Sequence, residues 1–100
     1  MIRKAQKKDL NAICTLAKKL WPDEDYDDMH AHFTNSLKAE NEVLFVYVDN
    51  HIEAFCTVSL RTDYVEGCTS SPTGYLEGIY VNTKYRGMGI GRKLFDAALI

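Results

Sequence analysis

The sequence predicts an α/β fold: a mixed, largely antiparallel sheet flanked by helices. Two N-terminal segments repeat their apolar residues at helical spacing. A continuous apolar run and an alternating one then meet at a tight turn. A later apolar strand passes through a glycine-rich loop into a segment of high helical propensity. The 100 residues suffice for one domain, 1–100, with a single modest core. At 46% hydrophobic and 26% charged residues, the composition is that of a folded globular chain rather than a disordered one.

Taken in order, Ile2-Arg3-Lys4 reads as a short strand. Asp9 is expected to cap a helix whose buried stripe is Leu10, Ile13, Leu16, Ala17 and Leu20, and which Trp21-Pro22 ends. A second helix opens within Asp23-Glu24-Asp25-Tyr26-Asp27-Asp28, where carboxylates suit the positive end of the helix dipole. It carries Met29, Phe33 and Leu37 along one stripe. His30 and His32, two residues apart, face different directions, and no metal site is predicted. Val43–Val48 reads as a buried strand and Asp49-Asn50-His51 as a tight turn. Ile52 to about Tyr64 forms the antiparallel partner, with Ile52, Ala54, Cys56, Val58 and Leu60 on one face. Loop formers fill 66–74, and Tyr75–Val81 is the next strand. A polar, glycine-rich loop spans Asn82–Gly91, and a helix from Arg92 is still unfinished at Ile100.

No apolar run approaches the ~20 residues of a membrane span, and the first eight residues lack the apolar region of a secretory signal. Cys14, Cys56 and Cys68 form no CxxC pair and fit small buried hydrophobes in a reducing compartment. The expectation is a cytoplasmic protein with no membrane partner.

The net charge of −2 conceals segregation. Residues 1–20 carry six bases and one acid, 21–66 carry eleven acids against Lys38 and Arg61, and 67–100 carry four bases and two acids. The acidic run is either a solvated, helix-capping loop or an electronegative lip that draws a cation toward the aromatic face of Trp21. It would repel phosphates, so nucleic acid is not an expected partner.

A glycine-rich junction between strand and helix, Arg86-Gly87-Met88-Gly89-Ile90-Gly91, lets backbone amides approach an anion, with Arg86 and Arg92 adding charge. Gly91 is followed by Arg92-Lys93 rather than Lys and Ser or Thr, which excludes an NTPase phosphate loop. The preceding antiparallel strands exclude a dinucleotide fold.

Leu76-Glu77-Gly78-Ile79-Tyr80-Val81 followed by Tyr85-Arg86-Gly87-Met88-Gly89-Ile90-Gly91 resembles the acetyl-CoA motif of the GCN5-related N-acetyltransferases. In that motif, Arg/Gln-x-x-Gly-x-Gly/Ala is met by Arg86, Gly89 and Gly91. The element order resembles the first two thirds of that acyl-CoA N-acyltransferase fold. Further likeness to aminoglycoside 6'-N-acetyltransferases lies in Leu20-Trp21-Pro22-Asp23, Tyr64-Val65-Glu66-Gly67, Ser71-Pro72 and Leu76-Glu77-Gly78-Ile79.

The resemblance implies acetyl transfer from acetyl-CoA, without a metal, to the 6'-amino group of a cationic aminoglycoside, or to another small amine or peptide. It implies that Ile79, Tyr80 and Val81 pair with pantetheine and that Gly87, Met88, Gly89, Ile90, Gly91 and Arg92 meet the pyrophosphate, beside Arg86. Trp21 and Tyr64 would line the acceptor pocket, unless they are ordinary partly buried aromatics. Glu77, an acid in an apolar strand, is either a catalytic proton acceptor and substrate contact or an outward-facing side chain. The family's later strands and helix have no counterpart, so the chain is expected to be incomplete at its C-terminus. A non-catalytic remnant that binds acetyl-CoA or a cation, and a homodimer, are the remaining expectations.

Overall fold

The computed structural model describes residues 1–62 and 72–98. β1 (Ile2–Lys4), α1 (Leu10–Leu20), α2 (Tyr26–Lys38), β2 (Glu42–Asp49), β3 (His51–Thr62), β4 (Pro72–Val81) and α3 (Ile90–Ala98) follow in chain order. The strands form one sheet in the order β1-β2-β3-β4, with every neighbouring pair antiparallel.

Helices cover both faces, which explains why β2 is apolar without interruption. Leu44 and Val46 face α1 and α2, where they join Ile13, Cys14, Met29, Phe33 and Phe55 in one core. Val43, Phe45 and Tyr47 point the other way, against Ala54, Cys56, Val58, Ile90, Leu94 and Ala98 in a second core under α3. Cys14 and Cys56 are buried free thiols, and burial pushes both up, Cys56 to about 11. Cys68 lies outside the described residues. Among the described residues no helix is long and apolar enough to cross a membrane.

The predicted elements are present with four local differences, while the expected strand end near Tyr64 and loop residues 66–71 lie outside the described residues. Asp9 does not cap α1. It ends a 3-10 turn, Lys7–Asp9, and its carboxylate accepts hydrogen bonds from the Gln6 amide at 2.7 Å and from both terminal Arg3 nitrogens, at 2.7 and 3.0 Å. A cation within reach outcompetes a helix end for so short a side chain.

Ile52 does not share a face with Ala54. Tyr47 pairs with Ala54 and Val48 with Ile52, so Glu53 is an extra residue, a β-bulge. The bulge turns Ile52 toward the α1–α2 core.

The segment from Asn82 to Gly91 is not uniformly polar surface. It contains a 3-10 turn, Thr83–Tyr85, with Tyr85 buried, and α3 starts at Ile90 rather than Arg92. Finally, β4 starts at Pro72, inside the stretch read as loop. The turn between β2 and β3 is as tight as predicted, with Asn50 at φ 65°, a conformation its short polar side chain tolerates.

Candidate functional site

β4 organises the site through a second bulge. Thr57 pairs with Gly78 and Val58 with Leu76, leaving Glu77 as the extra residue. Bulges redirect side chains, and here the Glu77 carboxylate Oε1 accepts a hydrogen bond from the hydroxyl of Ser59, a buried β3 residue. Glu77 itself is exposed. Strand alternation carries Ser59 and Thr57 to the face opposite Cys56 and Val58, the face covered by α1 and α2.

The next residue, Gly78, is buried beneath the indole of Trp21. Trp21 is the residue that ends α1 and packs, half-buried, on the α1–α2 core. Trp21 also lines a cavity of about 290 Å³, together with Glu24, Asp28, Met29, His32 and Phe33. The acidic run caps a helix, as expected, and also lines this cavity. Asp25 caps α2 by accepting from the Asp28 amide at 3.0 Å, while Glu24 and Asp28 line the cavity. The connection is held by Lys18, whose ammonium donates to the carbonyl oxygens of Pro22 and Glu24.

Further along β4 a groove of about 440 Å³ is lined by Lys19, Leu20, Ile79, Tyr80, Val81 and Arg86. The Asn82 amide donates to Glu53 O at 2.9 Å. Backbone groups of an antiparallel pair alternate in direction, so those of Tyr80 face β3 while those of Ile79 and Val81 face the groove. The Val81 carbonyl accepts from Arg86 Nε at 2.9 Å, and the guanidinium lies 5.4 Å from the Tyr80 ring centre. Lys19 sits across from it, 3.4 Å from Asn82 Oδ1.

The glycine loop follows. Gly87 and Gly89 have φ of 82° and 75°, values that side-chain-bearing residues adopt only at a cost. Gly91, in the first turn of α3, lies against Ile79, whose Cδ1 would be 3.2 Å from a Cβ there. The first amides of α3, from Ile90 onward, have no intrahelical partner and begin at the groove's end. Met88 is 58% exposed, and Arg92 pairs with Asp96 at 3.1 Å on the outer side of α3. A slot with outward strand amides, a left-handed glycine turn and a free helix start fits a pantetheine arm ending in phosphates.

The model of the acetyltransferase (GNAT) family matches residues 7–99. This chain belongs to the GNAT acetyltransferases. Among relatives of this GNAT chain, the aminoglycoside N(6')-acetyltransferase type 1 of Stenotrophomonas maltophilia is 41% identical over 98 residues, covering 96% of this chain and 63% of the relative. The enzyme of the same name from Salmonella enteritidis is 35% identical, covering 96% and 67%. The chain thus spans somewhat under two thirds of the length of the first. The solved structure of AAC(6')-Iy with the bisubstrate analog CoA-S-monomethyl-acetylneamine superposes with a TM-score of 0.85 at 35% identity, covering 99% of this chain and 68% of that one.

Of the residues expected at the site, Trp21, at the end of α1, is brought against Gly78, the neighbour of Glu77 on β4. Ile79, Tyr80, Val81 and Arg86 line one groove, Gly87 to Gly89 form the turn beside it, and Ile90, Gly91 and Arg92 open α3, with the Arg92 side chain paired to Asp96. Tyr64 lies outside the described residues. Sequence reasoning overlooked Ser59, Lys19 and Gly78. The parity of β3 sets Ser59 on the face away from Cys56 but does not give its partner on β4, and a base in the last turn of α1 next to Leu20 was the signal for Lys19. Nothing in the sequence marked Gly78 as the floor under Trp21.

Proposed function

We propose that this GNAT domain takes part in transfer of an acetyl group from acetyl-CoA to the 6'-amino group of an aminoglycoside, in the cytoplasm, so conferring resistance to the antibiotic. The observation that carries this reading is the position of Glu77. It is the bulge residue of β4, followed directly by Gly78, which packs under the Trp21 wall of an acidic, aromatic cavity suited to a polycationic amino sugar, and by Ile79 to Val81, which line a basic groove suited to coenzyme A. The names of the relatives at 35–41% identity support the choice of acceptor.

In this mechanism the bound acetyl-CoA supplies a thioester carbonyl carbon. The Glu77 carboxylate, directly or through water, accepts the proton that the substrate ammonium must lose before its nitrogen can attack. Nitrogen–carbon bond formation is matched by carbon–sulfur cleavage; the attacking nitrogen sheds its second proton to water as the amide forms, and the departing thiolate takes up a proton from solvent. An outward backbone amide of Ile79 or Val81 donates to the developing oxyanion. Trp21 forms the wall against which the sugar ring rests, Tyr64 contributes a hydroxyl, and Glu24 and Asp28 attract the remaining amines. No nucleophile of the protein is required.

Coenzyme A thiol release measured with kanamycin, tobramycin and spermidine tests the reading. Release with the two aminoglycosides alone is expected, and Glu77→Gln should lower it severalfold. Release with spermidine alone would replace the acceptor by a polyamine. Tight acetyl-CoA binding without release for any amine would make the chain a binding module. Unchanged turnover and aminoglycoside affinity in Glu77→Gln would remove Glu77 from the mechanism.

A further inference from the structure

We propose that Gly78 is a specificity-determining position, because the missing side chain is what lets the Trp21 indole lie against β4 as the acceptor wall. A Cβ built on Gly78 would stand 2.6 Å from Cη2 and 3.2 Å from Cζ2 of Trp21, and 3.4 Å from Cγ2 of Thr57. The first distance is below any that real packing allows, so one group must yield. Thr57 sits within the sheet, 3% exposed, and Gly78 is held by its pairing with it. The indole is the movable partner, since it is only half-buried and hangs from the residue that ends α1.

The consequence is directional. Any side chain at Gly78 displaces the indole away from β4, and the indole is itself part of the lining of the cavity that holds Glu24, Asp28 and His32. The space available to an amino sugar changes, while the groove along Ile79, Val81 and Arg86 is not obstructed. Gly78 is thus a positioning residue acting through Trp21, and it separates acceptor recognition from cofactor recognition. The inference rests on the acceptor reading given above.

Trp21 is the chain's one tryptophan, so its emission reports the wall directly. Calorimetric titration of kanamycin and of acetyl-CoA would be made on the unmodified chain, Gly78→Ala, Trp21→Phe and the double variant. Emission spectra would be taken for the two that keep Trp21.

Gly78→Ala is expected to shift the emission and weaken kanamycin about tenfold, in line with the usual cost of overpacking, with acetyl-CoA affinity unchanged. Trp21→Phe removes the atoms that a Cβ would meet, so Gly78→Ala should then have no further effect. Should Gly78→Ala alone fail to fold, recovery of the fold in the double variant supports the steric relation, and failure to recover overturns it. Kanamycin affinity unaltered by Gly78→Ala, or a loss that persists undiminished beside Trp21→Phe, overturns the role of Gly78 while leaving the acceptor site standing. An unmodified chain that binds no kanamycin overturns both.

Discussion

The hydroxyl of Tyr85 donates a 2.6 Å hydrogen bond to Asp49 Oδ2, tying the 3-10 turn that leads into Arg86 to the end of β2. The Tyr85 ring meets Tyr47 edge-on at 5.7 Å and is buried under α3. The glycine loop therefore hangs from the second core, not from β4 alone.

The hydrogen bond to Asp49, with burial second, pushes the Tyr85 phenol up from 10.0 to about 12. A group whose folded-state value is raised stabilises the fold fully below its ordinary value and loses that effect as pH climbs through the raised one. Tyr85→Phe should lower the thermal midpoint at neutral pH, and the gap to the unmodified chain should close between pH 10 and 12. Melting curves across that range check this; a gap that stays constant would locate the stabilisation elsewhere.

Asp9 behaves in the opposite sense. Its hydrogen bonds from Arg3, opposed by burial and supported by the Gln6 amide, hold its carboxyl below 3.8. Its contribution is present above that value and disappears as pH falls through the lower, folded-state one. Asp9→Ala should cost roughly 1.5–3 kcal/mol at pH 7, the range for hydrogen bonds to charged groups. Urea unfolding at neutral pH and again in strong acid should show the penalty in the first and little in the second.

Gly89 has φ of 75°, and no atom lies within 4 Å of where a Cβ would stand, so a side chain there meets backbone strain and no clash. Gly89→Ala should destabilise the fold by about 1–2 kcal/mol and weaken coenzyme A severalfold by reshaping the turn. Met88→Ala, at an exposed side chain on the same loop, should change stability little. Calorimetric titration of coenzyme A into each variant separates the two.

Ser59 is 8% exposed and directs the Glu77 carboxylate. Ser59→Ala should cost about 0.5–1.5 kcal/mol of stability, raise KM for the aminoglycoside and leave KM for acetyl-CoA unaltered. Equal changes in both constants would mean that Ser59 serves only the sheet.

Much of this molecule was legible from local pattern. The helical stripe of Met29, Phe33 and Leu37 and the unbroken apolar run of β2 encode which surfaces must leave water. The glycine loop was legible for a different reason, because Gly87 and Gly89 answer a backbone demand that few other residues meet. Two bulges were not legible. Glu53 and Glu77 each occupy one extra position in a strand, and a register shift shows only when the partner strand is present. Asp9 misled for a similar reason, since Arg3 competes with the helix end only after β1 folds beside it.

By itself the sequence determined the order of elements, the segregation of acidic and basic stretches, and the motif that resembles an acetyl-CoA loop, because these depend on periodicity, composition and spacing along the chain. Only the tertiary structure decided that Trp21 rests on Gly78, that Ser59 holds Glu77, and that Lys19 and Arg86 flank one groove. Each joins residues distant in sequence through strand register and side-chain packing, and a one-residue shift in β3 or β4 would have turned them to opposite faces.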